Sequence, residues 1–396
     1  MWFLVALLAC TPSEAPTAAP VPAPTEATPA PSKPGPANEQ VERAWTAELS
    51  EVDRRIEYFQ GRAEAPDGDR LALKQVVSLL LDRAQLTGDY GDYAKAQKVV
   101  DEAFAKAGAV ANGPHGSAFA VDMALHRYAS AREHLAFIQP SAGPSAQLDM
   151  ALGNYDAAKP PFERMAKSKR PEHLSRLAIL RWKTGDLDGA DELLLQAANG
   201  YHGRFHRPEA WYQLHRGILD LERGAYHDAM AHYLAAKEKL DGYWLIDEHV
   251  AEIHLLQGNL EKARSMYEDL VERTGNPEFM DRLAETLEQQ GHDDEAKAMV
   301  AKARAAYDAR LEQFPEATWG HAVDHWIAWG DPDEALAMAR KNHDNRPNGD
   351  AKLALIHALM GAGELAEARS VMKEVQDSPF DVPEVAELAE TLKKAK

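Results

Sequence analysis

The 396-residue chain contains a single cysteine, Cys10. An intramolecular disulfide and a zinc site built from several thiolates are therefore excluded. Cys10 ends an apolar run at the start of the chain, which is not the setting of a catalytic nucleophile. The phosphate-binding motif GxxxxGK[ST], a GxGxxG that follows a strand and the hydrolase motif GxSxG are missing as well. The sequence therefore predicts a protein that is not an enzyme and that needs no cofactor.

Lysine and arginine are outnumbered and do not cluster. The chain has 44 basic and 63 acidic residues, for a formal net charge of −19. Binding to nucleic acid depends on basic residues that neutralise phosphates, so the composition argues against a nucleic-acid partner. An acidic surface is compatible with cationic partners. The composition therefore directs the search towards protein partners with basic segments.

The sequence also has no long apolar run. The apolar run at the N-terminus, MWFLVALLAC, has only ten residues. As a helix it would span about 15 Å, roughly half of the hydrocarbon core of a bilayer. Residues 1–10 therefore fit a secretory signal better than a transmembrane helix. Leu7-Leu8-Ala9-Cys10 resembles the bacterial lipobox, which implies lipid attachment at Cys10 and, with threonine next, an outer-membrane destination. The alternative is an accidental apolar terminus with a free thiol.

Proline is concentrated in residues 11–38, which contain nine of them. Proline fixes φ and removes a backbone donor, so this segment is predicted to be a disordered, extended linker. Residues 39–67 follow as a predicted N-terminal packing helix from Glu39 to about Arg62, since its apolar residues share one face. These residues are Trp45, Leu49, Val52, Ile56 and Phe59.

A signature of a glycine, four residues and an alanine recurs eight times in the rest of the chain. The glycines are Gly91, Gly153, Gly185, Gly224, Gly258, Gly291, Gly330 and Gly363. After a first separation of 62 residues, the others lie 32 to 39 residues apart. The glycine is expected to end one helix in a left-handed cap, and the alanine to let the next helix approach closely. Such hairpins bury their apolar faces by stacking on one another.

This pattern resembles the tetratricopeptide repeat, whose period is near 34 residues. The resemblance implies an all-α fold in which residues 68–396 form a right-handed α-solenoid of about eight or nine hairpins. Asp381 and Pro383 open a predicted capping helix. The two separations of 39 residues imply longer helices or loops near residues 201–208 and 311–319. The first of these loops contains His202, Arg204 and Arg207, which suit an anion or a carboxylate, although an ordinary connection is the simpler interpretation.

The same resemblance implies that the first helix of each hairpin lines a concave groove. Positions ten, six and three before the glycine would face that groove. Carried over by spacing, the groove residues are Glu248, Glu252, Asp281, Glu285, Glu288, Asp324 and His357. A groove with one sign of charge attracts ligands of the other sign, so we expect it to bind basic segments. The alternative is that an acidic protein carries acidic residues on every face.

His321 and His325 are four residues apart on a predicted helix and so share a face. Two imidazoles at this spacing can hold Zn²⁺, but the glutamate of the metalloprotease motif is missing. Ordinary packing residues among the neighbouring tryptophans are the favoured interpretation. The sequence as a whole predicts a non-enzymatic lipoprotein scaffold in the bacterial cell envelope. A periplasmic solute- or metal-binding accessory of a transporter or enzyme is the alternative.

Overall fold

The structure is a computed structural model that describes residues 44–63, 70–138 and 142–395. Within these ranges the chain is helical and contains no strand, which confirms the all-α prediction. Cys10 and the linker at residues 11–38 lie outside the described residues. The helices α1 to α20 span Ala44–Ala63, Arg70–Thr87, Tyr90–Lys106, His115–Ala124, Tyr128–Leu135, Ala142–Ala151, Tyr155–Ala166, Pro171–Lys183, Leu187–Gly200, His206–Glu222, Tyr226–Lys239, Trp244–Leu256, Leu260–Thr274, Pro277–Gln289, Asp293–Gln313, Pro315–Trp329, Pro332–Asn345, Gly349–Gly361, Leu365–Gln376 and Pro383–Lys394.

Consecutive helices form nine hairpins in the described residues, from α2–α3 to α18–α19. Helix α1 precedes them and α20 follows. Each helix packs on its neighbours along the chain, and first helices of adjacent hairpins also touch, as α14 does α16. The eight signature alanines are at most 2% exposed, so each lies where two helices meet: Ala96, Ala158, Ala190, Ala229, Ala263, Ala296, Ala335 and Ala368. The repeat array predicted from the glycine–alanine signature is therefore present.

Most signature glycines adopt the predicted left-handed conformation. Six of them, Gly153, Gly185, Gly224, Gly258, Gly291 and Gly363, have φ between +71° and +82°. Two do not, and the prediction was wrong there. Gly91 lies inside α3, and the turn before it uses Gly88 instead, with φ of +73°. Gly330 is extended with φ of −94°. The next helix begins at Pro332, directly after its N-cap residue Asp331.

The two longer repeats differ in where they place the additional residues. Between α9 and α10 they form the loop at residues 201–205, whereas the later repeat lengthens α15 to 21 residues. The loop and the start of α10 hold α1 in place. The Glu48 carboxylate accepts hydrogen bonds from the backbone N–H groups of His206 (2.9 Å) and Arg207 (3.1 Å) in the first turn of α10. The N-terminus of a helix favours such an anion. The carboxylate bound beside this loop is therefore that of Glu48, from the same chain.

The solenoid winds so tightly that its early hairpins touch its late ones. The Lys183 ammonium at the end of α8 lies 2.7 Å from an Asp350 carboxylate oxygen at the start of α18, and both side chains are buried. Close by, Asn348 donates to the Ala151 carbonyl (3.1 Å). Elsewhere in the solenoid, the Trp244 indole on α12 donates to the Gln85 carbonyl on α2 (3.2 Å). These partners are 159 to 197 residues apart, so the edges of successive superhelical turns meet.

Candidate functional site

The predicted groove residues lie on four first helices, α12, α14, α16 and α18. Their exposure divides them into two groups. Glu248, Glu252 and Asp281 are 3%, 7% and 6% exposed, and each is hydrogen-bonded or ion-paired within the chain. Glu285, Asp324 and His357 are half-buried, and Glu288 is exposed. Contact with a partner is therefore open mainly to the second group.

The buried group on α12 surrounds His249. The Nδ1 atom of this imidazole lies 3.3 Å from Glu248 Oε2 and 3.2 Å from Glu252 Oε2. Stacking on Tyr233, with ring centroids 5.2 Å apart, fixes the orientation of the ring. Glu248, His249 and Glu252 form the one group of three metal-ligating side chains found in the described ranges, with ligand atoms all within 4.8 Å of one another.

His321 and His325 do share a face of α16, but each faces a different carboxylate on α14. His321 Nδ1 is 3.1 Å from Glu278 Oε2, and His325 Nδ1 is 2.7 Å from Asp281 Oδ1. Asp281 also accepts a hydrogen bond from the Tyr307 hydroxyl (3.1 Å). The two histidines are thus engaged separately, in contacts that join α14 to α16.

In the sequence, His249 pairs poorly with His254, since residues five apart do not share a face well, and its combination with Glu248 and Glu252 was not predicted. Residues three and four apart on a helix are neighbours, so Glu252 lies beside both His249 and Glu248. The resemblance to the tetratricopeptide repeat instead implied that Glu248 and Glu252 line the groove. The orientation of the imidazole depends on the contact with Tyr233, which lies on the preceding helix α11.

Three members of the accessible group lie in the second halves of α14 and α16, and the fourth, His357, lies on α18. Glu288 Oε1 accepts a hydrogen bond from the Trp329 indole (3.4 Å), and Glu285 pairs with Arg282 (2.7 Å). Asp324 lies one and a half turns before Trp329 on the same helix. We call Glu285, Glu288 and Asp324 the α14–α16 acidic surface. His357, on α18, contacts Glu384 (3.1 Å) instead of this surface.

Carboxyl groups from distant helices influence one another across the interior of the solenoid. Burial raises the pKa of Glu222 on α10 to about 7, and the charge of Glu384 on α20 adds to the increase. Burial likewise raises the pKa of Asp324 to about 8, again with a contribution from Glu384. The pKa of Glu248 is raised by burial to about 7. Burial is the main cause of the raised pKa in all three carboxyl groups.

Replacing Asp324 with asparagine is expected to stabilise the protein by about 2 kcal/mol at pH 9, with no gain at pH 4. The folded carboxyl keeps its proton up to about pH 8, whereas in the unfolded chain it loses the proton near the ordinary aspartate pKa of 3.8. Wild-type stability therefore falls as the pH rises from about 4 to about 8, and asparagine removes that loss. Partial exposure of the side chain keeps the gain below what the full pKa shift implies.

Urea unfolding at several pH values between 4 and 9 measures this difference between Asp324→Asn and wild type. A difference that stays constant over the whole range would contradict the assignment of a raised pKa to Asp324.

None of the described helices combines the length and apolarity needed to cross a membrane. Residues 327–392 match the family model of the tetratricopeptide repeat. No curated protein sequence matches the chain.

Several solved structures are similar to this chain at low identity. The crystal structure of MamA is 17% identical, with a TM-score of 0.36, over 44% of this chain and 99% of that one. PilF from Pseudomonas aeruginosa is 18% identical, with a TM-score of 0.34, over 52% of this chain and 92% of that one. The human IFIT1 dimer with m7Gppp-AAAA is 13% identical, with a TM-score of 0.46, over 88% of this chain and 85% of that one.

Proposed function

We propose that this chain, whose residues 327–392 match the tetratricopeptide-repeat family model, is a non-enzymatic scaffold that binds a basic segment of a partner protein. Stacked helical hairpins of this family offer an extended surface for protein–protein interaction. We further propose that a lipid attached to Cys10 holds the scaffold in the bacterial cell envelope. It therefore has two parts, a binding surface and an anchor, which are tested separately.

Binding of a basic segment is supported by the accessible carboxylates of the α14–α16 acidic surface. Glu285 and Glu288 lie one turn apart on α14, and Asp324 lies on the neighbouring first helix. Beside them stands the half-buried indole of Trp329, whose N–H is bonded to Glu288. A carboxylate next to an aromatic ring suits lysine and arginine, because the ring adds a cation–π attraction to the ion pair.

Asp324 gives this surface a pH-dependent component. Since its pKa is raised to about 8, the carboxyl is largely protonated at neutral pH. A bound cation would favour the ionised form and release that proton. Binding of a basic segment should therefore strengthen as the pH rises from about 6 to about 9.

Reversing the charge of Glu285 and Glu288 together, as Glu285→Lys/Glu288→Lys, should weaken binding of a labelled lysine- and arginine-rich peptide by about tenfold or more. The matched control is Glu163→Lys/Glu238→Lys, which makes the same change of net charge at exposed positions on the second helices α7 and α11. Fluorescence anisotropy at about 50 mM and about 300 mM salt measures both affinity and its screening. Equal weakening by both double variants would show attraction to net charge alone and would contradict the proposed surface.

The anchor part is supported by the lipobox-like Leu7-Leu8-Ala9-Cys10 and by the proline-rich residues behind it, which suit a stalk. The variant Cys10→Ser is expected to move the protein from the membrane fraction to the soluble fraction of bacteria, because serine offers no thiol for lipid attachment. Fractionation and immunoblotting of cells expressing the full chain measure this. Retention of Cys10→Ser in the membrane fraction would disprove the lipid anchor while leaving the binding surface untouched.

A further inference from the structure

Three side chains that can ligate a metal ion lie together on α12. Glu248 and Glu252 lie one turn apart, so their carboxylates project from the same face of the helix. His249 points its Nδ1 atom between them, at 3.3 Å and 3.2 Å from the nearer oxygens. All three side chains are less than a tenth exposed.

The distances from the imidazole to the two carboxylates are compatible with ligands of one divalent ion. Zn²⁺ binds imidazole nitrogen and carboxylate oxygen at about 2.0–2.2 Å. Two ligands at such distances that subtend a tetrahedral angle lie about 3.4 Å apart. The separations of 3.2 Å and 3.3 Å from His249 Nδ1 to the two carboxylate oxygens are close to that spacing, and all three ligand atoms lie within 4.8 Å of one another.

A second observation is that one carboxylate oxygen of this cluster has no hydrogen-bond partner among the described residues. The other carboxylate oxygen of Glu248, Oε1, is buried and has no hydrogen-bond partner among the described residues. Both glutamates share the single Nδ1 of His249. Arg282 on α14 donates to Glu285 (2.7 Å), and its charge also acts on Glu248 and Glu252. Buried carboxylates left in this state are costly, and a divalent cation compensates them directly.

We infer that Glu248, His249 and Glu252 bind a divalent transition-metal ion inside the solenoid, with Zn²⁺ as the ion that their nitrogen and oxygen atoms suit. The three protein ligands leave one tetrahedral position for water or another small ligand. Tyr233 supports the site by stacking on the imidazole. This inference does not depend on the proposed partner surface, since Glu285, Glu288 and Asp324 are not among the ligands.

Zinc retention by the full, untagged chain tests the site. The protein is stripped with a chelator, equilibrated with Zn²⁺, passed through gel filtration and analysed for metal by mass spectrometry. We expect one Zn²⁺ per wild-type chain. The variants His249→Ala and Glu252→Gln should each weaken its binding at least about a hundredfold, as expected for loss of a direct ligand.

The matched control is His254→Ala, which removes a half-buried histidine from the same helix outside the cluster. It should retain one Zn²⁺ per chain. Because Glu252→Gln preserves side-chain shape, circular dichroism of this variant separates loss of a ligand from loss of the fold. Absence of Zn²⁺ from the wild type, or equal retention by His249→Ala and His254→Ala, would overturn the assignment.

Discussion

Replacing Lys183 with methionine is expected to lower the free energy of unfolding by about 3–5 kcal/mol. The ammonium of Lys183 is 2.7 Å from Asp350 and also lies 4.5 Å from the centre of the Trp182 ring. Methionine fills similar volume but leaves the Asp350 carboxylate buried without its cation. Urea unfolding followed by circular dichroism measures the loss.

Two controls separate the buried pair from the general effect of removing a lysine. Lys98→Met, at a lysine that is 78% exposed and 3.9 Å from Glu102, should cost less than about 1 kcal/mol. The double variant Lys183→Met/Asp350→Leu removes both charges and should recover most of the stability, since an apolar pair can replace a buried ion pair. A loss below about 1 kcal/mol for Lys183→Met alone would contradict the closure of α8 on α18.

Gly153→Ala is expected to destabilise the protein by about 3 kcal/mol, whereas Gly258→Ala should cost about 1–2 kcal/mol. Both glycines occupy the turn of a hairpin, with φ of +80° and +74°, so an added side chain strains the backbone similarly at each. They differ in surroundings. A Cβ at Gly153 would lie 2.8 Å from the Asn348 Cα in the next superhelical turn, while at Gly258 nothing lies within 4 Å.

The difference between these two glycine variants isolates the contact between turns, because the left-handed strain is common to both. Paired urea titrations measure it. Equal losses for Gly153→Ala and Gly258→Ala would mean that the turn edges do not meet at Asn348.

The hairpins were predictable because local chemistry specifies them. A glycine such as Gly258 tolerates the left-handed turn, and an alanine such as Ala263 admits the neighbouring helix. The displaced turn at Gly88 was missed because the sequence offers two glycines three residues apart, and only the extent of α3 decides between them. Local pattern therefore predicted the repeating unit and most of its turns.

Closure of the solenoid could not be predicted in the same way. Its contacts, such as Lys183 with Asp350, join residues 167 apart and depend on small rotations accumulated over about five hairpins. Spacing also does not reveal which inward-facing acids remain accessible. Spacing placed Glu248 and Glu288 in the same row, yet the structure buries the first and exposes the second. Their roles as partner-binding residues stay predictions, and only the accessible members enter the proposed surface.

The partner surface is tested most directly by amide hydrogen exchange of the full chain with and without a saturating lysine- and arginine-rich peptide. Binding at the α14–α16 acidic surface predicts slower exchange in the last turns of these two helices, around Glu288 and Trp329, because bound peptide suppresses local opening there. The second helices α15 and α17 should exchange at unchanged rates. Protection confined to α15 and α17, or no protection around Glu288 and Trp329 at saturation, would contradict the proposed function.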